Sequence, residues 1–300
     1  MNGPTSASAA EALSDQHRRG RWLLTAQTHA IEALIHDLLP LDPNTDRSEI
    51  RVPLLMMQAV GTSVHSVLAL TRERNMAIRD CFAITRSAVE TAINAAFIAV
   101  SGKDTAEKAI RHMRQKRWRD LHREGSAGPL QLSVTRNISL ELGAFPGLRE
   151  ALDEFTDNQG RERPFWTRNS VEKRIDAVTR HQSRAGLCLG IAAFAIYRPA
   201  SELIHGSYYG VNLFWQGSRE TPVSNQAEFD QLWMTEHFVT LLSSLMFAIS
   251  GAIDAIASTH ALPGHAERQD VLARDLATLI DEMAAGDEAP GHNFQARARH

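Results

Sequence analysis

Apolar positions recur at the three-to-four spacing of amphipathic helices along most of the chain. Residues 12–38 form the first such segment, with Trp22, Leu23, Leu34, Ile35 and Leu38 as its apolar positions, and Pro40-Leu41-Asp42-Pro43-Asn44 ends it. Residues 48–70 follow, with Met57, Val60, Val64, Val67 and Leu68 in helical period and Pro53 in the first turn, where its missing N–H costs nothing. A third helix over 74–100 is apolar nearly all round from Ala92 to Ala99, which predicts a central position. Ser101-Gly102 closes it. Asp104, with Glu107 three residues on, has capping-box spacing for a fourth helix reaching about 123.

The middle is less regular. Gly125 to Pro129 reads as a loop, Leu130 to Leu142 follows neither period, and Gly147 to Phe155 predicts a short helix. Asp157 to Arg168 is polar, with Pro164-Phe165-Trp166 as an apolar anchor, and Asn169-x-x-Glu172 caps a short helix through Val178. Residues 125–182 therefore read as an insertion or lid. Helical patterns return over 184–197, about 228–259 and 266–284, separated by a turn-rich stretch from Gln216 and by Leu262-Pro263-Gly264. The expectation is an all-α bundle in one domain over 12–284, with a disordered start at 1–10 and a polar tail at 286–300. No strand-rich section, βαβ rhythm or internal repeat is present in the pattern.

Bulk composition narrows this only slightly. At 300 residues, 43% hydrophobic and 22% charged, with a formal net charge of −3, the chain is ordinary for a globular protein. There is no global positive field, so any nucleic-acid surface must be local. Cys81 and Cys188 sit in apolar helical patterns, too few for a disulfide framework and without metal-ligand spacing. The uncharged run Phe238 to Ile253 is sixteen residues, short for a bilayer span, and its serines favour a buried helix. No secretory pattern opens the chain. A cytoplasmic protein with no membrane partner is expected. Phosphate-binding glycine loops, dinucleotide fingerprints, Gly-x-Ser-x-Gly and His-Glu-x-x-His are missing, Glu202-x-x-His205 occurs once, and His237 beside Glu236 lacks ligand spacing. Neither a metal nor a cofactor is expected.

Candidate chemistry concentrates in Tyr197-Arg198-Pro199-Ala200-Ser201-Glu202-Leu203-Ile204-His205-Gly206-Ser207-Tyr208. Arg198, Ser201 and Glu202, His205, and Tyr208 recur at helical spacing, while Leu203 and Ile204 read as core. In a continuous helix the rise from Arg198 to His205 is about 10 Å. Pro199 either kinks that helix or starts a new one. A neutral imidazole near its ordinary pKa can take a proton from a ribose 2′-hydroxyl, and a guanidinium can offer paired hydrogen bonds to a phosphate. Arg198 and His205 are the candidate catalytic pair, with Ser201, Glu202 and Tyr208 supporting. The same residues would equally form an ion pair and a buried polar network. Arg86 and Glu90 form a second polar pair, fitted either to orient Arg198 or His205 or to fix helix packing. Arg111, Arg114 and Arg117, with Trp118 for base stacking, are the candidate nucleic-acid contacts, although a charge run of this kind is commonly a solvated face.

Ser201-x-x-x-His205-Gly206-Ser207 after Tyr197-Arg198, together with Arg86-Ser87-x-x-Glu90, resembles a large bacterial family of helical proteins whose domain is similar to the HEPN superfamily. The resemblance covers roughly residues 50–260. HEPN ribonucleases carry an Arg, four to six residues, then a His, and six residues separate Arg198 from His205. The residue after the arginine, commonly polar in HEPN proteins, is here Pro199. The resemblance implies an antiparallel helical bundle that is often a homodimer. It also implies metal-free RNA cleavage in toxin–antitoxin or phage-defence systems, with a protein partner such as an antitoxin. The alternative is a non-catalytic helical scaffold or protein-interaction module.

Overall fold

The computed structural model describes residues 6–135 and 146–286. Eleven helices are named in chain order within that range. They are α1 (Ser6–Leu38), α2 (Ser48–Leu70), α3 (Ile78–Ser101), α4 (Lys103–Leu121), α5 (Leu148–Glu154), α6 (Val171–His181), α7 (Ser183–Ile204), α8 (Tyr208–Gln216), α9 (Gln226–Leu232), α10 (Val239–Thr259) and α11 (His265–Gly286). A short antiparallel hairpin, β1 (His122–Ala127) and β2 (Leu130–Thr135), follows α4. A π-helical turn, Trp233–Phe238, joins α9 to α10. The all-α expectation holds at the level of a multi-helix bundle with a small stranded insertion.

The bundle is built around α3 and α10, which pack on each other, with α2 against α3 and α7 against both. α10 is buried on nearly all sides from Leu241 to Ala257, because its residues are apolar or small nearly all round and its one acid, Asp254, is covered and paired with Arg184 at 3.0 Å. α3 brings Ala88, Ala92, Ala95, Ala96 and Ala99 to the same core, and these short side chains let neighbouring axes approach closely. α1 and α11 cover the far side. There Gln27, Ser250 and Gln269, all buried, bond to one another: Gln27 Nε2 donates to Gln269 Oε1 (2.8 Å) and Ser250 Oγ (3.1 Å). Gln269 Nε2 returns a bond to Gln27 Oε1 (3.2 Å). A network with its donors used in this way fixes the register of α1, α10 and α11 and avoids the cost of a buried unpaired amide.

Several expectations change. Residues 6–10 are helical, not disordered. Residues 1–5, the stretch 136–145 and most of the expected tail lie outside the described residues. The loop at Gly125–Pro129 is instead the end of β1 and a tight turn, with Gly128 at φ 59°. The charged, non-alternating sequence of β1 gives no strand signal. α7 continues through Pro199 and ends only at His205, so a fresh helix start at the proline is not seen. α8 is a separate helix and not a continuation of the same polar stripe.

The expectations of cytoplasmic location and no membrane partner are also overturned. Four helices are long and apolar enough, by length and composition, to cross a membrane: Ser48–Leu70, Ile78–Ser101, Ser183–Ile204 and Gln226–Thr259. Val52 to Thr71 alone is twenty residues without Asp, Glu, Lys or Arg, or about 30 Å of helix. The four differ in cover. The most apolar stretch of the last is 78% buried inside the protein, that of Ser183–Ile204 only 28%.

Candidate functional site

The sharpest local feature is the corner between α7 and α8. Gly206 takes φ 63°, a left-handed conformation that ends α7 just after His205. Ser207 then caps α8, its Oγ accepting from the Gly210 N–H at 3.0 Å. The same hydroxyl donates to Glu202 Oε2 at 2.6 Å, so Glu202 is the buttress of the turn. Gly210 lies against the backbone of α7: a Cβ there would sit 2.4 Å from the Glu202 carbonyl oxygen. Arg79, from α3, donates to the Leu203 carbonyl at 3.2 Å, beside the Gly206 N–H, and sets a positive charge at the end of α7.

These bonds account for Glu202, Gly206, Ser207 and Gly210 as parts of a helix–turn–helix joint. They leave out Arg198 and His205. Both are exposed on the outer face of α7, about 20° apart around the axis and about 10 Å along it. Arg198 makes no ion pair among the described residues. Its guanidinium carbon lies 5.8 Å from the centre of the Tyr209 ring. His205 carries no side-chain hydrogen bond or ion pair among them either. The alternative reading of Arg198 and Glu202 as an ion pair is not met, and Glu202 bonds Ser207 instead. Ser201 is half-buried beside them, and Tyr208 is 81% exposed.

Arg198 also lines a cavity of about 270 Å³ between α7, α8, α3 and the π-helical turn. Phe82, Tyr209 and Phe214 contribute its aromatic wall, and Glu236 and His237 its polar one. His237 Nε2 donates to the Phe214 carbonyl at 2.9 Å, which fixes the tautomer, and the two rings stack at 5.1 Å and 5°. Glu236 receives the Ser218 N–H at Oε2 and the Ser218 hydroxyl at Oε1, both at 2.8 Å. Gly217 makes room for that carboxylate, since a Cβ there would fall 2.3 Å from Oε2. Glu236 makes no ion pair among the described residues.

Arg86 and Glu90 lie elsewhere. Arg86 packs over the Tyr197 ring at 5.2 Å. Glu90 pairs with the buried Arg174 of α6 at 3.8 Å, and Arg174 also donates to Asn94. Neither Arg86 nor Glu90 bonds Arg198 or His205. The basic helix α4 faces the segment that follows the hairpin. Arg111 Nε donates to Glu154 at 2.7 Å, Lys116 pairs with Glu162, and Arg119 donates to Thr156 Oγ1 at 3.1 Å. Arg114 lies over Gly147, and Trp118 is half-buried. Arg114 and Arg117 remain exposed. His112 packs edge-on to Phe155 at 4.9 Å, and its pKa is held below the ordinary 6.5 by burial first and by Lys116 second. Among the described residues no group of three or more His, Cys, Asp or Glu is placed to hold a metal, and both cysteines are free.

A family model described as "Family of unknown function (DUF5677)" matches residues 51–221, more than half of the chain. The chain belongs to the DUF5677 family. No curated protein and no solved structure matches it. The DUF5677 match runs from the first turn of α2 to just beyond α8, and so contains Arg86, Glu90, the basic helix, Arg198 and His205. It stops short of Glu236 and His237. Sequence spacing sets that pair aside as metal ligands, and nothing in the local pattern places the two residues at a cavity. The widened turn brings both onto one cavity, and such turns recur at functional sites.

Proposed function

We propose that this DUF5677 chain is a metal-independent ribonuclease of the HEPN type, with Arg198 and His205 as its catalytic residues. One observation carries the reading. The joint between α7 and α8 engages the side chains of Glu202 and Ser207, while Arg198 and His205 make no ion pair among the described residues and are both left exposed on one face of an unbroken helix. Surface arginine and histidine without partners are common singly. Their placement seven residues apart, beside Tyr208 and Tyr209, matches the needs of phosphodiester cleavage. Glu202 acts as a positioning residue through Ser207.

In this reaction the neutral imidazole of His205 takes the proton from a ribose 2′-hydroxyl, and the 2′-oxygen attacks the adjacent phosphorus. Arg198 holds the non-bridging oxygens and offsets the charge that grows on them. The P–O5′ bond breaks, and the imidazolium returns its proton to the leaving 5′-oxygen. The products are a 2′,3′-cyclic phosphate and a 5′-hydroxyl, with no net consumption of protons. A second reading, a non-catalytic interaction module, draws on the exposed stripe Leu187, Ile191 and Phe194, which runs along the same face of α7 up to Arg198. The test is cleavage of single-stranded RNA in EDTA by wild type, His205→Ala and Arg198→Ala. Cleavage by wild type alone supports the ribonuclease. Equal activity in all three, or none in wild type, sinks it.

A further inference from the structure

The cavity beside Arg198 holds two opposite charges that do not meet. Arg198 and Glu236 both line it, and neither makes an ion pair among the described residues. A ligand that satisfies both must present an anion to the guanidinium and hydrogen-bond donors to the carboxylate. The Glu236 carboxylate is held in a fixed plane by the two bonds from Ser218, one to each oxygen. Each oxygen keeps a free lone pair. A fixed carboxylate of this kind is matched by two adjacent N–H donors on one planar edge.

Among the four RNA bases only guanine has that edge, with N1–H beside the N2 amino group. Adenine and cytosine offer an amino group beside a ring-nitrogen acceptor, and uracil one N–H between two carbonyls, so each would set a lone pair against a carboxylate oxygen. The walls suit a base as well. Phe82 and Phe214 are apolar, and Tyr209 lines the Arg198 side, its ring beneath the guanidinium. The volume, about 270 Å³, is at the small end of small-molecule sites and fits one nucleotide, not two.

We infer that this cavity seats a guanine base of the RNA, its N1–H and N2 amino group on Glu236 and its phosphate on Arg198. The inference rests on the reading of the chain as an RNA-acting protein and adds base selectivity to it. Guanine pairs both carboxylate oxygens in charge-assisted bonds, and any other base leaves one of them facing an acceptor. His237 is a positioning residue that fixes the Phe214 ring and carbonyl.

The test is calorimetric titration of the full chain with guanosine, adenosine, cytidine, uridine and inosine 3′-monophosphates. Guanosine monophosphate binds at least about tenfold tighter than the other four, inosine included because it lacks the N2 amino group. Glu236→Gln removes the preference, and Arg198→Ala weakens all five. Equal binding of guanosine and inosine monophosphates by the wild type overturns the inference and needs no variant to fold. So does a Glu236→Gln protein that binds all five more weakly while keeping the guanine preference, since that is a structural role through Ser218. Guanine-selective binding without RNA cleavage keeps the pocket and removes the ribonuclease. Cleavage without base preference does the reverse.

Discussion

Two helices of this chain carry conspicuous positive charge at functional spacing, and the fold treats them in opposite ways. On α4, Arg111, Lys116 and Arg119 turn toward the 147–162 segment and bond Glu154, Glu162 and Thr156. On α7, Arg198 meets only the Tyr209 ring and makes no ion pair among the described residues, and His205 has no side-chain hydrogen bond among them. In a sequence the two look alike, as basic residues on an amphipathic helix. The difference is what lies opposite each helix: an acidic segment faces α4, while the outer face of α7 meets an aromatic ring and open solvent. Side chains left unused once the local joint is complete are the better functional candidates.

The comparison breaks most sharply at His205. Its replacement by alanine lowers RNA cleavage by about 10²–10⁴-fold. Because the imidazole is exposed and unbonded, stability changes by less than about 0.5 kcal/mol, read by urea titration. A large loss of stability would mean that His205 belongs to the joint after all. Gly210→Ala works from the other side. Its Cβ meets the backbone of Glu202, which cannot swing away as a side-chain tip could. A destabilisation of about 1–3 kcal/mol is expected, with activity falling as the corner opens.

Smaller effects sharpen the α4 side. Glu154→Ala removes the partner of Arg111 and Lys108. Both pairs are about a third exposed, so the loss is at most about 1 kcal/mol. RNA affinity, measured by filter binding at low salt, rises a few-fold as the cations are freed. An unchanged affinity would remove α4 from consideration as an RNA surface. The mildest effect is on pH. His112 has a folded pKa below 6.5, so the unfolded chain takes up a proton there that the folded chain refuses. Its contribution is complete above about pH 6.5 and declines as the pH falls through and below that value. His112→Phe keeps the ring against Phe155 and flattens the stability profile between about pH 7.5 and 5.5, as thermal melts would show.

Helix periodicity alone located nearly all of the bundle, including α2 over 48–70 and the central α3. Apolar spacing reports burial, and burial is what holds a helix in place. The hairpin was illegible because β1 carries charges and glycine and draws its pairing from its neighbour β2. Pro199 misled, since a helix loses one hydrogen bond at a proline but tertiary packing on both sides carries it through. The apolar length of α2 reads short where His65 counts as a break, although no Asp, Glu, Lys or Arg lies between Val52 and Thr71. At the site, Arg198 and His205 stood out by spacing. That Glu202 belongs to Ser207, and Glu90 to Arg174, depends on turns and neighbouring helices that no local pattern encodes.

The π-helical turn has a consequence for how the gene tolerates change. A turn closed by i→i+5 bonds holds one residue more than the α-helix around it. Deleting a single codon within Trp233–Phe238 would let the segment relax into an ordinary α-helix, and α10 would keep its place in the core. The helix on either side would keep its facing, because the widened turn had absorbed the extra residue. Only residues inside the turn would move, and Glu236 among them would leave the Ser218 cradle. An in-frame loss of one residue would thus erase the carboxylate from the pocket while leaving the scaffold standing.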